Sequence, residues 1–235
     1  MIYSFQIFVS IGMVEEKEVT DVVSGYVLSF GGRTAYILPA IVCALAASRL
    51  LSFSENAVSF TQHRSLSQIW GCNIAAASLL SGVVSSFYLV LQFAVFVIFT
   101  QVVGATTEGV SYLEFGLRSF VVLFLWGLIG FGLAYVIRNQ AATLVLLLVF
   151  GFVIEPIATG MLNESQSFNE WVGYLPGSLN WALAWPANGA GAEGATTSTN
   201  TWQSIVGLLG YSLVSFAAAL AVSFRSGDRL MKRGR

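Results

Sequence analysis

Apolar residues dominate five long stretches of the chain, Ala35 to Phe53, Ile74 to Val103, Ser119 to Ile137, Ala141 to Leu162 and Ile205 to Phe224, with polar residues gathered between them. The hydrocarbon core of a bilayer is about 30 Å thick and takes roughly 20 helical residues to cross, so each stretch predicts a transmembrane helix. Met1 to Val14 is also apolar, but at 1.5 Å per residue it reaches only about 21 Å. It lacks the basic leader and small-residue cleavage site of a signal peptide, so it is expected to be a partial, shortened first helix. The pattern predicts an all-α polytopic membrane bundle occupying residues 1–235 as one domain.

Composition agrees. Hydrophobic residues make up 56% of the 235 residues and charged residues 10%, and the mean hydropathy is +0.75, whereas a soluble domain carries about 25% charged residues. The net charge of −1 names no partner, and nothing points to nucleic acid. Position matters more than total charge. Of eleven basic residues, eight lie near the ends of alternate spans or just beyond them: Arg49 and Arg64, then Arg138, then Arg225, Arg229, Lys232, Arg233 and Arg235. Lys17, Arg33 and Arg118 lie on the other side, with Glu15, Glu16, Glu18, Asp21, Glu108, Glu114, Glu164, Glu170 and Glu193. Cytoplasmic loops retain Lys and Arg, so the carboxyl terminus is expected in the cytoplasm and the segment 163–203 outside.

The cytoplasmic connection 52–70 carries more pattern than a tether needs. Ser52 and Glu55 have the S-x-x-E spacing of a capping box, which predicts a short helix beginning near Phe53. Phe53, Ala57, Val58 and Phe60 would form its apolar side, ahead of the polar run Thr61, Gln62, His63, Arg64. Such a helix either lies on the membrane surface or docks a soluble partner.

Glu155 and Pro156 interrupt the uncharged stretch that begins at Ala141. A carboxylate in hydrocarbon costs several kcal/mol unless it is paired, protonated or facing a cavity, and Pro156 supplies no N–H to the carbonyl of Phe152, which predicts a kink or an end. One reading is a substrate or proton site. The other, preferred, is that Glu155 pins a broken, re-entrant segment through backbone N–H groups. Beyond it, Trp171, Tyr174, Trp181, Trp185 and Trp202 suit the headgroup level. Gly160, Gly173, Pro176, Gly177 and Pro186 punctuate this region, and Asn188 to Asn200 reads as a loop. Short helices dipping into the outer interface are expected there.

Gly127, Gly130 and Gly132 predict close helix packing in the third long span. Cys43 and Cys72 have no metal-ligand or redox spacing and read as small core residues. His63 is the sole histidine, which argues against a histidine-based metal site or triad, and no G-x-x-x-x-G-K-[ST] sequence occurs. No catalytic constellation is visible and no metal or cofactor is expected in this chain.

The passage GLIGFGLAYVIRNQAATLVLLLVFGFVIEPI, Gly127 to Ile157, resembles the permease subunits of type-2 ABC exporters, especially small actinobacterial drug- and antibiotic-export permeases. It has their glycine-rich helix, a short basic turn at Arg138, Asn139 and Gln140, an apolar helix and a Glu-Pro pair. YLPGSLNWAL, Tyr174 to Leu183, is similar to the LPGG passage that follows. In the 52–70 connection Gln62 and His63 stand where the family has proline and arginine, and Gly71 where it has lysine. The resemblance implies a six-helix half-transporter that pairs with a second permease copy or homologue and with two cytoplasmic ATPase subunits, which would bind ATP and Mg. It places ATPase coupling on Ser52, Phe53, Glu55, Val58, Phe60, His63 and Arg64, and the external gate at Glu155 and Pro156, in a bacterial plasma membrane. The exported substrate is not readable.

Two other classes remain open. A secondary transporter would need intramembrane ionisable pairs and discontinuous helices in corresponding repeats, and only Glu155 is charged mid-span. An immunity or sensor subunit would share the topology without dependence on an ATPase.

Overall fold

The computed structural model describes residues 36–57, 66–103, 112–164, 169–184 and 201–233, and every regular element among them is helical. The helices are α1 (Ile37–Ala57), α2 (Leu66–Val103), α3 (Tyr112–Ile137), α4 (Gln140–Val149), a π turn (Phe150–Ile154), α5 (Glu155–Glu164), α6 (Asn169–Val172), α7 (Pro176–Ala184) and α8 (Thr201–Arg233). Among the described residues, four stretches are long and apolar enough to cross a membrane: Gly71–Val95, Gly116–Ile137, Gln140–Leu162 and Thr201–Val222. The chain is therefore a multi-pass membrane protein. The expected count of five full spans is not reached among the described residues, because the apolar part of α1 is the shorter Ile37–Arg49. Met1 to Val14 lies outside the described residues.

α3 is the centre of the bundle. It packs on α1, α2 and α8, and three glycines set the distances. A Cβ at Gly127 would run into Ser81 and Cys43, one at Gly130 into the backbone of Ala40, and one at Gly132 into Ser215. Between apolar helices in lipid there is no hydrophobic force to gain, so close backbone approach and interhelical hydrogen bonds hold them. The Ser81 hydroxyl supplies one such bond, donating to the Phe124 carbonyl at 2.6 Å. The glycine patch read from the sequence thus serves three different neighbours. At the start of α3, Glu114 and Arg118 form an i,i+4 ion pair, with the acid on the N-terminal side, the orientation that suits the helix dipole.

The outer faces are apolar. Leu79, Val83, Phe87 and Val90 on α2 are each more than 65% exposed and recur at helical spacing, a stripe suited to lipid tails. Cys43 is buried as expected, but Cys72, in the second turn of α2, is exposed.

The π turn has a geometric cause. Thr143, Leu147, Gly151, Glu155 and Thr159 are all buried and succeed one another every four residues. In a regular α-helix each such step drifts by about 40°, so Thr159 would end about 160° away from Thr143. The π turn accommodates one additional residue and takes back most of that drift, keeping Glu155 on the buried side. Helicity therefore does not end at Pro156. The Glu155 N–H reaches the Phe150 carbonyl, and Pro156, which has no N–H to donate, directly follows the π turn.

Candidate functional site

The turn between α3 and α4 consists of Arg138 and Asn139. Arg138 has φ 54°, the left-handed region, and its N–H closes α3 on the Ala134 carbonyl at 2.9 Å. Asn139 is extended (φ −132°, ψ 115°) and caps α4, its side-chain oxygen accepting from the Ala142 N–H at 3.1 Å. The Thr143 N–H and hydroxyl both donate to the Asn139 carbonyl at 2.9 Å. Gln140 is the first residue of α4 and is exposed. The Arg138, Asn139, Gln140 passage is thus a two-residue link whose asparagine fulfils the N-cap preference for Asn, Asp, Ser and Thr.

About 22 Å along the span from Gln140, the Glu155 side chain meets two other elements. It is 4% exposed. One carboxyl oxygen accepts from the Tyr36 hydroxyl at the start of α1, and the other from the Gly177 N–H at the second residue of α7. The first turn of a helix leaves N–H groups without partners, and here a glutamate from another span supplies the missing acceptor. Both bonds are accepted, so neither oxygen needs a proton to be satisfied. Gly177 is required by contact, because a Cβ there would occupy the place of the carboxyl. Pro176 takes the first position of α7, which lacks an intrahelical N–H bond in any case. The Thr159 hydroxyl donates to the Glu155 carbonyl at 2.8 Å.

Two further contacts complete the junction. The Tyr36 ring stacks on Trp126 of α3 at 4.1 Å between centroids; the Trp126 indole N–H is buried without a hydrogen-bond partner among the described residues. Ile37 fills the space left by Gly151 of the π turn. On the other side, the Tyr211 hydroxyl of α8 donates to the Tyr174 carbonyl at 3.0 Å. α7 itself is sunk into the bundle, with Leu179 and Leu183 buried and Leu179 seated over Gly207 of α8. Trp171 and Trp202 are exposed, as residues facing the headgroup level are expected to be.

The sequence reading placed a carboxyl on backbone N–H groups at Glu155, and the Gly177 bond has that form. It did not find Tyr36, Trp126 or Tyr211. Gly177 was visible as a breaker, and the pair Pro176-Gly177 is the signal from which a helix start could be read; nothing in the sequence links either residue to Glu155.

The 52–70 connection differs from its expectation. Ser52 and Glu55 lie inside α1, which continues unbroken to Ala57, so Ser52 is not the cap of a new helix beginning near Phe53. Helix propagation adds a hydrogen bond per residue, whereas a new start incurs the nucleation cost again, and no proline or glycine between Arg49 and Ala57 interrupts it. Phe53 lies in the same extension. Val58, Phe60, His63 and Arg64 lie outside the described residues, as do Trp185 and the Asn188 to Asn200 run. Among the described residues no group of His, Cys, Asp and Glu is gathered for a metal ion.

No protein-family model matches the chain, and neither the curated proteins nor the solved structures include a match to it.

Proposed function

We propose that this chain is the transmembrane subunit of an ATP-driven ABC exporter, working with a second permease copy or homologue and with two separate cytoplasmic ATPase subunits that bind ATP and Mg. The observation that carries the reading is the junction at Glu155. The segment between the last two spans forms short helices, one of them sunk between the spans and held at its N-terminus by a carboxyl beside a Glu-Pro pair. An element of that kind suits a gate on the exit side. The charge distribution supports the orientation, with Arg138 and the basic tail in the cytoplasm of a bacterial cell and α6 and α7 toward the outside. No P-loop sequence occurs in these 235 residues, so in this reading the ATP site lies outside them.

In this reading the ATPase docks on the Ser52 to Arg64 segment, whose first half is the extension of α1 beyond Arg49. Phe53, Val58 and Phe60 would supply apolar anchors, since a few buried aromatic contacts dominate such interfaces. A carrier driven by an ion gradient is the second reading, and the buried carboxyl of Glu155 favours it.

One experiment separates them. The chain is purified from its native host, and the complex is reconstituted and assayed for substrate-stimulated ATP hydrolysis, in wild type and in Phe60→Asp. Co-purification of an ATPase, with stimulation lost in Phe60→Asp while the permease remains folded, is the expected result. Transport with no ATPase present overturns the proposal; stimulation unchanged in Phe60→Asp overturns the docking assignment. Single cysteines at Ser65 and Ser226 should label only from the cytoplasm and one at Ala190 only from outside.

A further inference from the structure

The turn that leads into α7 is held from two sides by two different spans. On one side Glu155 of α5 accepts from the Gly177 N–H. On the other, the Tyr211 hydroxyl of α8 donates to the Tyr174 carbonyl at 3.0 Å. Leading into this turn the backbone is folded on itself, the Tyr174 and Leu175 N–H groups reaching the Trp171 and Val172 carbonyls at 3.0 and 3.2 Å. The turn therefore has little slack.

We propose that Glu155 and Tyr211 form a two-sided clasp on residues 174–177, so that α7 leaves the bundle only in a single concerted opening in which both bonds break. The argument rests on connectivity and depth. Tyr211 stands about 15 Å along α8 from Thr201, and Glu155 about 22 Å from Gln140; the Gly177 bond is buried, whereas the Tyr211 bond lies on the surface of the bundle. Once broken, the buried bond finds no substitute partner. A displacement of α8 relative to the Gln140–Leu162 span pulls on both ends of one four-residue turn. Opening uncovers Ser178 and Asn180 of α7, polar side chains that are buried in the closed form, and so turns an apolar wall into a polar one. This device does not depend on what drives transport, and its failure would leave the exporter reading untouched.

The test uses the full chain in detergent or lipid, with Cys43→Ala and Cys72→Ser and a single reporter, Ser178→Cys, which only an opening of α7 makes reactive. Labelling by a small membrane-permeant thiol reagent is followed at concentrations where the rate is proportional to reagent. A hydrogen bond between membrane helices corresponds to a change in the opening equilibrium of about three-fold. Tyr211→Phe should accelerate labelling by roughly that factor, Glu155→Leu, which offers the Gly177 N–H no acceptor, by at least as much, and the pair together by the product of the two. A reporter at the exposed position, Trp171→Cys, should react at one rate in all four backgrounds. A double variant no faster than the faster single variant means that the two bonds guard separate motions, and overturns the clasp. Tyr211→Phe alone, a deletion of one oxygen that preserves the fold, overturns it equally if labelling does not increase.

Discussion

The helical hairpin from Tyr112 to Glu164 is interrupted twice, and the two interruptions are built on opposite principles. At the Arg138 end every bond of the turn is local: Arg138 to Ala134, Ala142 to Asn139, Thr143 to Asn139. At the Glu155 end the bonds reach Gly177 and, 119 positions away in sequence, Tyr36. A local turn is complete as soon as its helices form. The Glu155 junction exists only when α1, α5 and α7 have already assembled, and it is therefore the place where assembly can be felt and changed.

Breaking the long-range junction should have the largest effect. Glu155→Leu leaves the Gly177 N–H and the Tyr36 hydroxyl buried with their acceptor gone, and should lower the stability measured by unfolding in mixed detergent by about 2 kcal/mol or more. Glu155→Gln, which keeps an acceptor and the side-chain length, should retain most of it. Loss of transport in Glu155→Gln with wild-type stability and a changed pH dependence would instead assign the carboxyl a proton or substrate role.

Gly177→Ala attacks the same junction from the other partner. Its Cβ falls on the carboxyl, and the expected cost is about 1 to 3 kcal/mol, the range for overpacking. Gly160→Ala, where the added Cβ meets nothing within 4 Å, should cost nothing in the same assay. Equal effects at the two glycines would show that helix flexibility, not the carboxyl contact, governs the junction.

At the local turn the effects should be smaller. Asn139→Ala removes the cap of α4 and should cost about 1 kcal/mol. Because Asn139 and Glu155 stand about 24 Å apart along the span, Asn139→Ala and Glu155→Leu together should cost the sum of the two within about 0.5 kcal/mol. A larger departure would mean that the two ends communicate through α4. The smallest change is a gain. Arg138→Gly relieves a side chain held at φ 54° and should raise stability by about 0.5 to 1 kcal/mol, whereas Arg138→Val should lower it.

Much of the architecture was legible because a bilayer restricts what a sequence can do. Backbone groups must be satisfied within each segment, so long apolar stretches had to be helices. Gly127, Gly130 and Gly132 could be read as contact points without knowing the contacts, and Asn139 carried its cap in its own identity. The apolar stretch from Ala35 to Phe53 predicts a full span, whereas in the fold the apolar part of α1 is Ile37–Arg49 and the helix continues to Ala57. The four-residue spacing of Thr143, Leu147, Gly151, Glu155 and Thr159 was present in the sequence, but these residue types share no hydrophobic signature, so the π turn that keeps them on one side could not be read from periodicity. The sequence by itself determined the helices, their lengths to within a few turns, the local cap at Asn139 and the need of Glu155 for partners. Which partners it found, Tyr36 and Gly177, and the seating of α7 against α8 were decided by tertiary structure alone. A hydrogen bond across 22 or 119 positions depends on where three helices come to rest, and residue identity at either end carries no record of that distance.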